Sequence, residues 1–267
     1  MIPGHFNLER VVRTAQLPLT TVRHIAHELL ELVCPPDCAV CDHAISDNKD
    51  VLCTQCWGLL RENLQDRPCP TCGHNVGPYS LIDGRCHRCQ GRRAAVSSVV
   101  RVGNYDGILR ALILMFKFAG RSHLDEFLGG MLADALLGAE YICQPDLLVP
   151  IPLHWRRRWK RKYNQAELLA QALANRLKYH DRAIPVDCNL LRVRYTEPQT
   201  SLAPSHRLTN LAGAFAVRPD CGYQGKHICL IDDVTTTGTT LRVAARTILN
   251  AGAARVSAAV LAVAAND

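Results

Sequence analysis

Apolar and polar positions alternate along the second half of the chain in two periods. Residues 95–102 form a short apolar, valine-rich run of strand type. Residues 106–118 place Ile108, Leu109, Leu112, Ile113 and Phe116 at helical spacing, and Lys117-Phe118-Ala119-Gly120 ends that helix with a glycine stop. A second helix is expected over residues 122–138, and a short buried strand over 146–151 between Pro145 and Pro152. Residues 164–178 return to helical period through Leu168, Leu169, Ala172, Leu173 and Leu177. Strands are expected at 189–194, 215–217 and 256–263, with a helix over 241–249 stopped at Asn250-Ala251-Gly252. Strands alternating with helices predict a largely parallel α/β sheet. Ligands of such sheets sit at the carboxyl ends of the strands.

One stretch organises this half. His227-Ile228-Cys229-Leu230-Ile231 reads as a buried strand, Asp232 and Asp233 follow it, and Val234, Thr235, Thr236, Thr237, Gly238, Thr239 and Thr240 lead into the last helix. A helix N-terminus carries partial positive charge and unpaired N–H donors, so this turn is a phosphate cradle. Gly238 lets the backbone turn tightly toward an anion. Two carboxylates cannot also bind that phosphate. They face another part of the same ligand, such as sugar hydroxyls or a metal. The pair followed by this threonine-rich loop resembles the phosphoribosyl-pyrophosphate (PRPP) motif of type I phosphoribosyltransferases, in which the acids hold the ribose hydroxyls and the loop holds the 5-phosphate.

The first third is different. Residues 20–33 carry Val22, Ile25, Leu29 and Leu32 on one helical face, and Cys34-Pro35-Pro36 ends that helix. Then come four Cys-x-x-Cys pairs: Cys38 with Cys41, Cys53 with Cys56, Cys69 with Cys72, and Cys86 with Cys89. The gaps between successive pairs are 11, 12 and 13 residues. Each pair supplies two thiolates from one tight turn, and two pairs complete a tetrahedral zinc site. Pairing the first two knuckles and the last two gives two structural zinc ions, although an interleaved pairing satisfies the same spacing. All-cysteine sites leave no open coordination position, which favours a structural metal over a catalytic one. A single Cys-x-x-Cys also suits thioredoxin-like redox chemistry, but four of them without a surrounding βαβ pattern do not. Cys34, His43, His74 and His87 are read as bystanders.

Composition narrows the setting. The 267 residues are 48% hydrophobic, carry a net charge of +7 and include 13 cysteines. No apolar run approaches the roughly 18 residues of a membrane span, and the N-terminus lacks a signal-peptide core. A cytoplasmic protein with reduced, metal-binding cysteines is expected. The positive charge concentrates in Trp155, Arg156, Arg157, Arg158, Trp159, Lys160, Arg161 and Lys162, with Trp155, Trp159 and Tyr163 four apart. Such a run suits a pyrophosphate loop or a stacking platform for single-stranded nucleic acid. The polar stretch over residues 196–210 reads as a functional loop, from which Arg207, together with Arg192 and Arg194 before it, can reach a pyrophosphate.

Taken in order, the motifs resemble the ComF family, also written ComFC or GntX. The likeness spans residues 30–265. It includes the cysteine module, Lys117-Phe118-Ala119-Gly120, Pro150-Ile151-Pro152, Asn164-Gln165 after a basic run, Arg192 to Gln199, Arg207 and Asn210 before Phe215, and Asp232-Asp233. Where the family often has Arg-Gly-Phe-Asn-Gln, this chain has Arg161-Lys162-Tyr163-Asn164-Gln165. The resemblance implies a type I phosphoribosyltransferase-like α/β domain over residues 93–267. It also implies a double zinc-ribbon module over 34–92, a segment with a short helix over 1–33, and a role in DNA uptake or utilisation.

Two classes of function follow. In the first, Mg²⁺ and PRPP bind, and Asp232 and Asp233 orient the ribose, with Asp233 facing the charge that grows at C1. The 5-phosphate sits on the threonine loop. Arg161, Lys162, Asn164, Gln165, Arg192, Arg194, Gln199 and Arg207 form the pyrophosphate side of a phosphoribosyltransferase whose acceptor the motifs do not specify. In the second, the same fold is a non-catalytic module that binds single-stranded DNA through Trp155 to Lys160, or docks a competence helicase or another DNA-processing protein through its zinc module.

Overall fold

A computed structural model describes residues 37–45, 51–91, 94–118, 124–139, 144–153, 163–194 and 213–264. The expected helix over 20–33, the basic run 154–162 and the polar stretch 196–210 lie outside these residues. By contact the chain divides into Met1–Cys53 and Thr54–Asp267. The described part of the first is the Cys38-x-x-Cys41 knuckle with residues 51–53.

The second unit begins with α1 (Thr54–Leu64), then β1 (Val99–Asn104), α2 (Gly107–Phe118), α3 (Leu124–Leu137), β2 (Leu147–Pro150) and α4 (Gln165–Lys178). A small pair β3 (Leu190–Arg192) and β4 (Phe215–Val217) follows, then β5 (His227–Thr235), α5 (Thr239–Asn250) and β6 (Arg255–Val263). β1, β6, β5 and β2 form one sheet in that order, every neighbouring pair parallel, while β3 and β4 pair antiparallel. The parallel α/β architecture expected from the alternation is present. β5 and β6 lie in the middle, and Ile228 to Ile231 and Val256 to Val263 are buried without a break. Continuous apolar runs of this kind belong to strands covered on both faces. α5 contributes Leu241, Ala244, Ala245 and Ile248 to the core, and α4 buries Leu169, Ala170, Leu173, Ala174 and Leu177.

Two elements differ from the expectation. The apolar run ends at Ile231, but β5 continues through both aspartates to Thr235. β6 supplies the reason: it stays extended to Val263 and pairs Asp232 with Val260, Val234 with Ala262 and Thr235 with Val263. α1 was not foreseen at all. It lies between two cysteine pairs, buries Cys56 and Leu60, and sets the Trp57 ring 5.7 Å from Phe127.

A polar clasp ties α1 and the third knuckle to β1. Arg101 of β1 is buried and donates to the side-chain oxygens of Asn104 and Asn75. Asn104 donates to Asp66 and Asn63 donates to Asp106. Asn75 donates to Asp66 at 2.8 Å, and the Asn104 amide reaches Asn63 Oδ1 at 3.0 Å. The Val99 amide adds a bond to the Pro70 carbonyl at 2.8 Å. A guanidinium at this depth is tolerable because its donors are met. Among the described residues no helix is long and apolar enough to cross a membrane.

α3 and α4 approach closely at Gly129, where an added Cβ would lie 2.4 Å from Ala172 Cβ and 3.1 Å from the α4 backbone. At the neighbouring Gly130 it would meet nothing within 4 Å. Gly129→Ala should therefore destabilise the protein by about 1–3 kcal/mol through overpacking. Gly130→Ala should stabilise it by up to about 1 kcal/mol through helix propensity. Urea denaturation of the two variants checks the contrast, and equal effects would contradict the close approach.

Candidate phosphate cradle and metal centres

The cysteines fall into two groups, Cys38, Cys41, Cys53 and Cys56, and Cys69, Cys72, Cys86 and Cys89. In each, the four sulfurs lie within 4.8 Å of one another. The separations Cys41–Cys53 and Cys72–Cys86 are 3.6 Å, and Cys86–Cys89 is 3.7 Å. Tetrahedral zinc with Zn–S bonds of about 2.3 Å requires S···S distances near 3.8 Å, whereas a disulfide requires about 2.0 Å. The donor sets fit two structural zinc ions, with the first two pairs together and the last two together.

The first and third knuckles repeat one geometry. The Cys38 amide donates to the His43 carbonyl and the Cys69 amide to the His74 carbonyl, both at 2.8 Å. The Asp42 amide donates to the Cys38 carbonyl and the Gly73 amide to the Cys69 carbonyl. Each turn needs a left-handed residue after its second cysteine, Asp42 at φ 55° and Gly73 at φ 73°. Glycine adopts this without strain and aspartate tolerates it. His43 and His74 serve the knuckles through their backbone, as bystanders to the metal.

The second centre of chemistry is the carboxyl end of β5. Asp232 and Asp233 are adjacent, the Asp233 amide donates to Asp232 Oδ1 at 2.9 Å, and the Val234 amide donates to Asp233 Oδ1 at 2.6 Å. Burial pushes the Asp232 carboxyl up, to about 7, and the like charge of Asp233 adds to it. Lys117 and Arg192 pull the other way. Lys117 Nζ stands 2.9 Å from Asp233 Oδ1, both side chains being largely buried. The lysine comes from the last turn of α2, whose terminal carbonyls have no partner within the helix. Tyr163 donates its hydroxyl to the Phe116 carbonyl at 2.7 Å, and Gln165 reaches the Lys117 carbonyl at 3.4 Å. These two side chains fix the turn that carries Lys117.

Beyond the acids the chain enters the cradle. Gly238, at φ 68°, is the N-cap of α5 and offers no side-chain oxygen to the first-turn amides. Thr237 and Thr239 hydroxyls lie 2.8 Å apart, and Arg242 donates to Thr239 Oγ1 at 3.2 Å. Amides, hydroxyls and a guanidinium thus converge on the start of a helix, which suits a phosphate group. Val234 belongs to the strand instead, since its amide is taken by Asp233.

The other expected site residues separate into three sets. Arg192, on β3, lies with its guanidinium 5.6 Å from the centre of the Phe215 ring and acts on Asp232. Arg194 is exposed just past β3. Asn164 and Gln165 are buried: Asn164 caps α4 by accepting from the Ala166 amide and donates to the Ile151 carbonyl at 3.2 Å. Trp155, Arg156, Arg157, Arg158, Trp159, Lys160, Arg161, Lys162, Gln199 and Arg207 lie outside the described residues. Neither Lys117 nor Tyr163 was assigned to the acid pair from sequence. The available signal was a lysine at the end of an apolar helix, directly before a glycine stop.

The family described as Phosphoribosyl transferase domain matches residues 164–267, and Double zinc ribbon domain matches residues 29–90. The chain is similar to the DNA utilization protein YhgH of Salmonella typhi, at 33% identity over 84% of this chain and 96% of the relative. It is similar to Competence protein F of Haemophilus influenzae at 31% identity over 76% and 86%. Competence protein ComFC of Bacillus subtilis is 29% identical over 81% and 90%. A solved glutamine PRPP amidotransferase from B. subtilis overlaps 50% of this chain and 25% of its own, with 22% identity and a TM-score of 0.32. That overlap is too partial to add to the family match.

Elemental analysis of the purified chain should find about two zinc ions per molecule, and about one in the Cys72→Ser variant. An unchanged zinc content in that variant would contradict the second centre. Lys117→Met should cost on the order of 2–4 kcal/mol at pH 8, because it leaves a carboxylate charge largely buried and unpaired. The carboxyl beside it already binds a proton more tightly than in the unfolded chain. The variant's native state therefore takes up protons as pH falls, and the deficit should shrink toward pH 5.5. Urea denaturation at the two pH values measures it.

Proposed function

The chain belongs to the ComF family, and on that premise we propose that its C-terminal domain binds PRPP together with Mg²⁺ in the service of DNA uptake or utilisation. One observation carries the ligand reading: adjacent carboxylates and an uncapped, hydroxyl-lined helix start lie on one strand–loop–helix turn. Phosphate suits the helix start and ribose hydroxyls suit the carboxylates. PRPP carries both groups on one ring. The DNA role is supported by relatives named for competence and for DNA utilisation.

In this reading the 5-phosphate accepts from the first-turn amides of α5 and from the hydroxyls of Thr237 and Thr239. Asp232 and Asp233 accept from the ribose hydroxyls and hold the sugar in one orientation. Lys117 holds Asp233 in place through their ion pair before the ligand arrives. Its ammonium and the Arg192 guanidinium also add positive charge where a pyrophosphate would otherwise meet only carboxylates. Asp232 and Asp233 stand where they would help to hold Mg²⁺, which would supply neutralisation of the charge that develops as pyrophosphate departs. The oxygen-rich donor set at the end of β5 suits such a hard cation.

Isothermal titration with Mg²⁺ and PRPP tests the reading. The double variant Asp232→Asn, Asp233→Asn should lose binding, and wild-type affinity in that variant would sink it. The pH dependence has a defined sign. The Asp232 carboxyl is raised to about 7 by burial and by Asp233, and the bound state needs it as an ionised acceptor. Affinity should rise by about tenfold between pH 6 and pH 8, with protons released on binding below neutrality.

A further inference from the structure

A groove of about 900 Å³ adjoins the threonine loop, and the acid pair does not line it. Its walls come from the Cys69–Cys89 knuckles, from residues 94–99 and from α5. The volume is that of a nucleotide-sized ligand site. Among the described residues three guanidinium groups line it, Arg88 from the zinc module and Arg242 and Arg246 from α5, and no carboxylate does. Such a surface selects an anion. Ala95, Val96, Val99 and Leu241 add apolar side chains to the lining. His74 also lines the groove, with both ring nitrogens buried.

PRPP does not account for this combination. It is polar throughout and has nothing to place on four aliphatic side chains. The groove asks for a phosphate and a flat apolar body. Those are the parts of a nucleoside mono- or diphosphate. We propose that the groove is a second nucleotide site beside the cradle, with phosphates on Arg88 and Arg246 and the base over Ala95, Val96, Val99 and Leu241. The zinc module then has a binding role as well as a structural one, because it supplies one wall. The site borders the cradle through Thr235 to Thr239 and Arg242 but does not use the acid pair.

The test uses the zinc-loaded full chain and ADP as probe, with adenosine and inorganic phosphate as its two halves. ADP should bind with Kd of roughly micromolar to sub-millimolar order, and each half more weakly. Arg88→Glu and Arg246→Glu should each weaken ADP about tenfold or more, by removing a charge-assisted contact and adding repulsion. Arg246 is exposed on α5, away from the cysteines, so its variant remains informative if Arg88→Glu disturbs the knuckle. The Asp232→Asn, Asp233→Asn protein should bind ADP as the wild type does, which separates this site from the PRPP site. No ADP binding at millimolar concentration, binding indifferent to both arginine variants, or binding lost with the acid pair would each overturn the proposal.

Discussion

Two adjacent carboxylates at the end of an interior strand are the constraint around which the C-terminal domain is arranged. The sheet forces them there, because β6 pairs with β5 as far as Thr235 and draws Asp232 and Asp233 into the ladder. Their mutual repulsion in a poorly solvated place must be met by a cation or a proton. Both are used: Lys117 pairs with Asp233, and burial pushes the Asp232 carboxyl up. The lysine in turn needs a fixed helix end, which Tyr163 and Gln165 provide by binding the carbonyls of Phe116 and Lys117. The charge balance at the cradle thus extends through β5, α2 and the start of α4.

That chain of dependence also explains what was legible in the sequence. β5 and β6 were readable because strands covered on both faces leave an unbroken apolar run, and α5 because its core face repeats at helical spacing. The cradle was readable because strand, acids, hydroxyls and glycine are contiguous. Lys117 was not, since its partner lies far along the chain and a lysine in the last turn of a helix already has a sufficient local reason in the helix dipole. Asn164 and Gln165 were expected on the pyrophosphate side, as were Arg192 and Arg194. The first two are buried as a cap and a strut, which local sequence does not distinguish from a ligand-facing pair. The length of β5 beyond Ile231 was hidden for the same reason, because the ladder that extends it belongs to β6.

The cysteine module shows the opposite balance. Ligand identity was legible, because metal geometry demands four thiolates and the knuckle is a local motif, whereas the spacing alone left an interleaved pairing open. What spacing does not show is how the last two knuckles are mounted. Gly73 sits so close to β1 and β6 that a Cβ there would lie 3.0 Å from Val263 and 3.1 Å from Val99. Arg101, the residue after Val99 and Val100 in β1, is buried and joins that strand to Asn75. α1 escaped notice because its apolar positions, Cys56 and Leu60 with Trp57 and Leu64 beside them, are interleaved with metal ligands that attract the first reading.

The mounting of the second zinc centre has a consequence for the groove. A small cysteine-rich segment gains most of its folding free energy from its metal. The turn carrying His87 and Arg88 lies between two zinc ligands, Cys86 and Cys89, so metal binding fixes its path. The acid pair draws on a different source: β5 lies inside a hydrophobic core, and Lys117 is held by α2 and α4. Loss of zinc would therefore dissolve one wall of the groove while the charge balance at the end of β5 persisted. The groove and the acid pair thus adjoin the same threonine loop but are built by different interactions, and zinc is the variable that separates them.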